Sequence, residues 1–135
     1  MNLIALSVGI TSSFYILYRF KKTGLEKSRW AYALFIATYP LYYLCFALYG
    51  QDYKTFSYEI IVGLLIIIFA YVGYRLKRRS ALFFLGLLSI SHALYDYMHE
   101  ELFINAGTPV WWTEFCGSID IILGLYLLFL AFKSR

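Results

Sequence analysis

Between Asn2 and Phe132 the chain is built of five long apolar stretches, at 2–18, 30–49, 58–74, 81–98 and 111–132. Each is near the ~20 residues that cross a hydrocarbon layer of ~30 Å, the third and fourth being a little short. No other feature restricts the fold as much. A backbone inside lipid must satisfy its own polar groups, and spans of this kind do so as helices. Composition closes the aqueous alternative. Of the 135 residues 61% are hydrophobic, 21% aromatic and 15% charged, against roughly 45–50% apolar and about 25% charged in a soluble domain. A chain this short cannot enclose so much apolar surface in one aqueous core. The expected fold is an all-α integral membrane protein, a single domain over residues 1–135 formed by a bundle of five transmembrane helices.

The polar residues between the spans set an expected orientation. Arg19, Lys21, Lys22, Lys27 and Arg29 follow the first span, Arg75, Lys77, Arg78 and Arg79 the third, and Lys133 and Arg135 the fifth, leaving Lys54 alone on the opposite side. By the positive-inside rule the N-terminus is outside and the C-terminus cytoplasmic. The first span carries its charges after it, in "YRFKKTGLEKSR", with no basic leader or A-x-A-like site, so it reads as a retained span and not a signal peptide. Asp52, Glu59, Asp96, Glu100, Glu101, Glu114 and Asp120 lie toward the outside, and only Glu26 lies with the basic loops. The net charge of +4 comes in short clusters between apolar runs. That distribution excludes nucleic acid as a partner and points to membrane lipids, with "KRRS" at 77–80 suited to anionic headgroups.

The stretch "SHALYDYMHEELF", residues 91 to 103, places ionisable groups where they are costly. A central Asp in a span is disfavoured by about 2.5–3.5 kcal/mol or more. His92, Asp96 and His99 are spaced i, i+4, i+7 and share one helical stripe. Thr113, Cys116 and Asp120 form a matching stripe on the next span, with Glu114 beside it. His92 lies roughly 10 Å and Asp120 roughly 13 Å below the outer surface at 1.5 Å per residue. Antiparallel neighbours therefore bring His92 level with Asp120, Asp96 with Cys116 and His99 with Thr113, in a pocket expected to open outward.

His and carboxylate are ligands for zinc, iron or manganese. His92, Asp96, His99 and Asp120 are the candidate ligands, with Glu114 as a further one. His92, Asp96 and Asp120 are the candidate catalytic groups of a metal-dependent, hydrolase-like enzyme acting on a lipid-soluble substrate. Without a metal, His92 and Asp120 form an acid–base pair or proton relay, in a protein that binds or moves an ion, proton or small ligand. A polar network that only fixes helix register is the third reading. Toward the cytoplasm spans 4 and 5 read "ALFFLGLL" and "IILGLYLLFLAF", with no charge, so the pocket looks like a dead end.

Other features are read more plainly. Cys45 and Cys116 are taken as buried free thiols, with a disulfide between them as the alternative. Pro40 is expected to kink the second span. Its tyrosines 39, 42, 43 and 49 suit interface anchoring, or a wall for a lipid or isoprenoid-like ligand. Gly63 and Gly73 are too far apart for a Gly-x3-Gly motif, and although a homo-oligomer suits so small a chain, no motif specifies one.

Residues 86 to 125 resemble an uncharacterised family of small polytopic bacterial membrane proteins, a domain of unknown function. In its pattern one helix reads His-x3-Asp-x2-His-His, and a Pro-containing loop and a Cys-x3-Asp helix follow. Here "HALYDYMHE" supplies His92, Asp96 and His99, Pro109 fits the loop, and "CGSID" supplies Cys116 and Asp120. The chain departs from the pattern at Tyr95, where Trp is usual, and at Glu100, where the second His stands. If that His is a ligand, Glu100 takes its place. The resemblance implies that these residues belong together and assigns no activity. It places the chain in a bacterial inner membrane.

Overall fold

The computed structural model describes residues 1–28 and 30–133, and every regular element among them is helical. Arg29 and Arg135, two of the basic residues counted above, lie outside the described residues. The elements are α1 (Leu3–Lys22), α2 (Ala31–Ala37), α3 (Tyr39–Tyr49), α4 (Tyr53–Arg75), α5 (Arg78–Leu102) and α6 (Trp112–Lys133), with a single 3-10 turn at Leu25–Lys27. Five helical units are long and apolar enough to cross a membrane, α2 and α3 together making the second.

Most helices overrun their apolar stretches, for reasons that lie in the flanking polar residues. Asn2 caps α1 by accepting the Ala5 N–H at 3.0 Å. Arg19, Lys21 and Lys22 occupy the last turn of α1, where cations complement the helix dipole. Asp52 starts α4 at Tyr53, ahead of the expected 58, by accepting the Thr55 N–H at 2.9 Å and its hydroxyl at 2.7 Å. These donors, the main-chain one foremost, hold the Asp52 carboxyl below its usual range. A lowered folded value means that the cap stabilises fully above the ordinary Asp pKa and is lost as pH falls through the lowered one. Amide exchange at Thr55 is therefore expected to quicken in Asp52→Ala at neutral pH, and in the native chain only in strong acid. Unchanged protection in the variant would show that the cap contributes nothing.

The second span breaks at Thr38 between α2 and α3, and Pro40 sits in the first turn of α3. Proline has no N–H to give, which is tolerated only at a helix start. The expected kink is thus a full restart, and it re-aims the tyrosines of α3.

Helix α6 is the hub. Both α5 and α1 pack on it without touching each other, while α4 lies against α2, α3 and α5. The α5–α6 approach is set by glycines facing across the seam. A Cβ on Gly86 would lie 2.9 Å from the Gly124 carbonyl oxygen, and one on Gly124 would lie 2.8 Å from that of Gly86. Gly63 and Gly73 meet Pro40 and Leu85 in the same manner. Gly86 and Gly124 are therefore paired between helices, where a search along one helix does not find them. The larger core, around Ile36, Leu85, Leu123 and Leu127, fills one half of the bundle, and a smaller one of Tyr43, Trp112 and Cys116 lies in the other. The basic end is tied by Arg78, which donates to the Lys27 carbonyl at 3.1 Å, and by Tyr126, whose hydroxyl donates to Glu26 at 2.5 Å.

Candidate metal centre

Helix α5 buries Ser89, His92, Asp96 and His99 along one stripe, and α6 buries Cys116 and Asp120 opposite. The expected level matching holds at its centre. His92 Nδ1 lies 2.8 Å from Asp120 Oδ2 and 3.6 Å from Asp96 Oδ1. Cys116 Sγ stands 4.0 Å from Asp120 Oδ2. Thr113, expected beside His99, donates to the Asp96 main-chain carbonyl at 3.4 Å. One potential ligand atom from each of His92, Asp96 and Asp120 falls within 4.8 Å of the others.

Helix α3 completes the centre through Tyr39 and Tyr43, four residues apart on one face. The Tyr43 hydroxyl donates to Asp96 Oδ1 at 2.8 Å. The Tyr39 hydroxyl shares a 3.1 Å hydrogen bond with Ser89 Oγ, which donates to the Asp120 main-chain carbonyl at 2.9 Å. Each aspartate is thus steadied, directly or through one serine, by a tyrosine of α3.

The arrangement leaves three buried atoms without a hydrogen-bond partner: His92 Nε2, Asp96 Oδ2 and Asp120 Oδ1. Among the described residues these are three of seven such atoms, one on each member of the trio. A buried polar group left unsatisfied costs about 1–3 kcal/mol, more when charged. The aspartates gather on the Nδ1 side of His92, and each keeps one oxygen without a hydrogen-bond partner there, while Nε2 lies across the ring.

Several expectations are corrected. The centre is not an outward-opening pocket: His92 is 3% exposed and Asp96 and Asp120 are 0% exposed. Tyr43, the smaller aromatic core and the 103–111 loop close it, with Asn105 donating to the Tyr43 carbonyl at 3.3 Å. His99 does not join the trio. Its Nε2 lies 2.5 Å from Glu59 Oε1, because α4 passes closer to that part of the stripe than α6 does. Glu100 and Glu101 are exposed on the far face of α5. Glu114 is drawn to the start of α1, where it accepts the Asn2 N–H at 2.9 Å. None of His99, Glu100 and Glu114 belongs to the group able to share one ion. Cys116 is buried and Cys45 is exposed on the bundle surface, and both are free thiols.

Four contributors escape the sequence reading: Glu59, Tyr39, Tyr43 and Ser89. Glu59 had a usable signal, as a carboxylate at the start of an apolar span. The tyrosines had none that separated them from the twelve others in the chain. Comparison with protein-family models, curated proteins and solved structures finds no match to this chain.

Proposed function

We propose that this is a multi-pass membrane protein in which His92, Asp96 and Asp120 hold one divalent transition metal, zinc or iron. The observation that carries the reading is that one potential ligand atom from each of these three buried residues lies within 4.8 Å of the others. Asp96 and Asp120 each keep one oxygen without a hydrogen-bond partner. A divalent cation would neutralise the negative charge that two carboxylates can bring to so buried a place. Imidazole with carboxylate is a ligand set of zinc and of non-haem iron. His92, Asp96 and Asp120 would hold such a metal, and it would supply the activation of water that hydrolysis needs once water is admitted to the centre. The protein is accordingly a metal-dependent, membrane-embedded hydrolase-like enzyme for a lipid-soluble substrate. The N-terminus and the centre's end of the bundle face outward in a bacterial inner membrane, and membership of the small polytopic family resembled by residues 86–125 is part of the proposal.

The closure of the centre favours one second reading. A site this buried suits a group that holds a cation or protons without turnover, in an ion-binding or accessory membrane subunit.

Elemental analysis of the detergent-purified chain, beside His92→Ala and Asp120→Asn, tests the proposal. About one zinc or iron per chain is expected in the wild type, and a loss of at least tenfold in both variants while they remain helical and monodisperse. A wild type that stays metal-free after chelator-free purification and incubation with Zn²⁺ and Fe²⁺ would sink the metal reading and leave the proton-holding one.

A further inference from the structure

Beyond the trio lies a second buried polar group that the metal reading does not use. Glu59 on α4 is 2% exposed, and its two oxygens are both taken. Oε1 meets His99 Nε2 at 2.5 Å and Oε2 accepts the Tyr95 hydroxyl at 2.8 Å. Neither oxygen of Glu59 is left over for a ligand. Its reach comes through the His99 ring, which lies parallel to the Tyr43 ring with centroids 4.0 Å apart and planes 21° apart. Tyr43 in turn gives its hydroxyl to Asp96 Oδ1.

We propose that Glu59 and His99 are positioning residues for the metal centre, acting through the stacked Tyr43 ring to fix the orientation of the Asp96 carboxylate and with it the direction of the oxygen left for the cation. The inference rests on the metal reading above. Its physical basis is the order in which the side chains are held. Carboxylate and imidazole fix each other in plane, as second-shell carboxylates fix histidines around metals. The fixed imidazole face then removes the ring freedom of Tyr43. Asn105 holds the same residue from behind by its donation to the Tyr43 carbonyl. A tyrosine held by its backbone and its ring aims its hydroxyl in one direction, so one oxygen of Asp96 is held by Tyr43 and the other is left free in a fixed direction. The arm runs from α4 through α5 and α3 back to α5. It ties the centre to a helix that contributes no residue to the trio.

Cobalt(II) titration of the full chain in detergent tests this, because Co²⁺ accepts zinc sites and its visible d–d bands report ligand geometry. The variants are Glu59→Gln, which removes the charge while keeping the shape, Tyr43→Phe, which removes the hydroxyl while keeping the stacked ring, and the two combined. Outer-shell changes of this kind lower metal affinity about 10–100-fold. Each single variant is expected to weaken Co²⁺ binding by that factor and to shift the d–d bands. The combined variant should bind no more weakly than Tyr43→Phe alone, since both changes act along one path.

Wild-type affinity and bands in a folded Glu59→Gln overturn the inference, as do losses that multiply in the combined variant. If Glu59→Gln does not fold, Glu59→Gln/His99→Gln supplies a neutral amide pair in the same place, and the same outcomes apply to it. A wild type that binds no Co²⁺ overturns the metal reading itself. A wild type that binds, with an indifferent Glu59→Gln, overturns only the positioning role.

Discussion

Glu59→Leu is expected to destabilise the bundle by about 2–5 kcal/mol, since it takes the acceptor from two hydrogen-bonded groups at about 1–3 kcal/mol each. His99 at 1% exposure and the Tyr95 hydroxyl both lose their acceptor. The imidazole cannot turn to water without opening the packing of Tyr43 and Phe103 against it. The double variant Glu59→Leu/His99→Leu should recover most of the loss, because replacing a buried pair by apolar groups of similar volume is often neutral or better. Only the Tyr95 hydroxyl then lacks a partner. Unfolding in mixed micelles, followed by circular dichroism across the three proteins, gives the comparison. A single-variant loss under about 1 kcal/mol would mean that the pair is solvated in the native protein and behaves as a surface salt bridge.

The second large effect is expected at the α5–α6 seam. Gly124→Leu should cost about 3 kcal/mol, the upper end of the range for overpacking. Its Cβ alone would lie 2.6 Å from Ile90 Cγ1 and 2.8 Å from the Gly86 carbonyl oxygen, and a backbone oxygen cannot rotate away. Leaving glycine returns about 1 kcal/mol of helix propensity, too little to offset the clash. Gly117→Ala on the same helix is the control. A Cβ there meets nothing within 4 Å, so it should be neutral or stabilising by about 0.5–1 kcal/mol. Functional damage should follow from the first change only. Prising the helices apart lengthens the 2.8 Å contact between His92 and Asp120 that spans the same seam, so Gly124→Leu should also lose metal. Equal stability in the two variants would show that the seam is loose and that the glycines are incidental.

The two substitutions probe different layers of the design. The seam brings the trio together, since α5 supplies His92 and Asp96 and α6 supplies Asp120. The Glu59 arm refines the trio from a neighbouring helix. A centre with both supports can be rigid while most of the surrounding surface is lipid-facing hydrocarbon.

Much of this was legible in the residues alone, for identifiable reasons. Five apolar runs of near-membrane length determine five helices, because lipid leaves the backbone no other partner. The i, i+4 spacing of His92 and Asp96, with Cys116 and Asp120 at a matching depth, placed the centre because helical rise and period are invariant. What fails to carry over is anything decided by which helix lies beside which. The third member of the α5 stripe, His99, has the same periodicity as His92. Its partner is nevertheless Glu59, forty residues back on α4, and no local pattern encodes that neighbour. The restart at Thr38 was hinted at by Pro40, but only the packed bundle determines that it aims Tyr39 and Tyr43 at Ser89 and Asp96. Depth and face follow from the chain's own geometry and so can be read in one dimension. Partnership between helices, and with it the closing of the centre, is settled by side-chain fit across the bundle, and exists only once all the helices are in place.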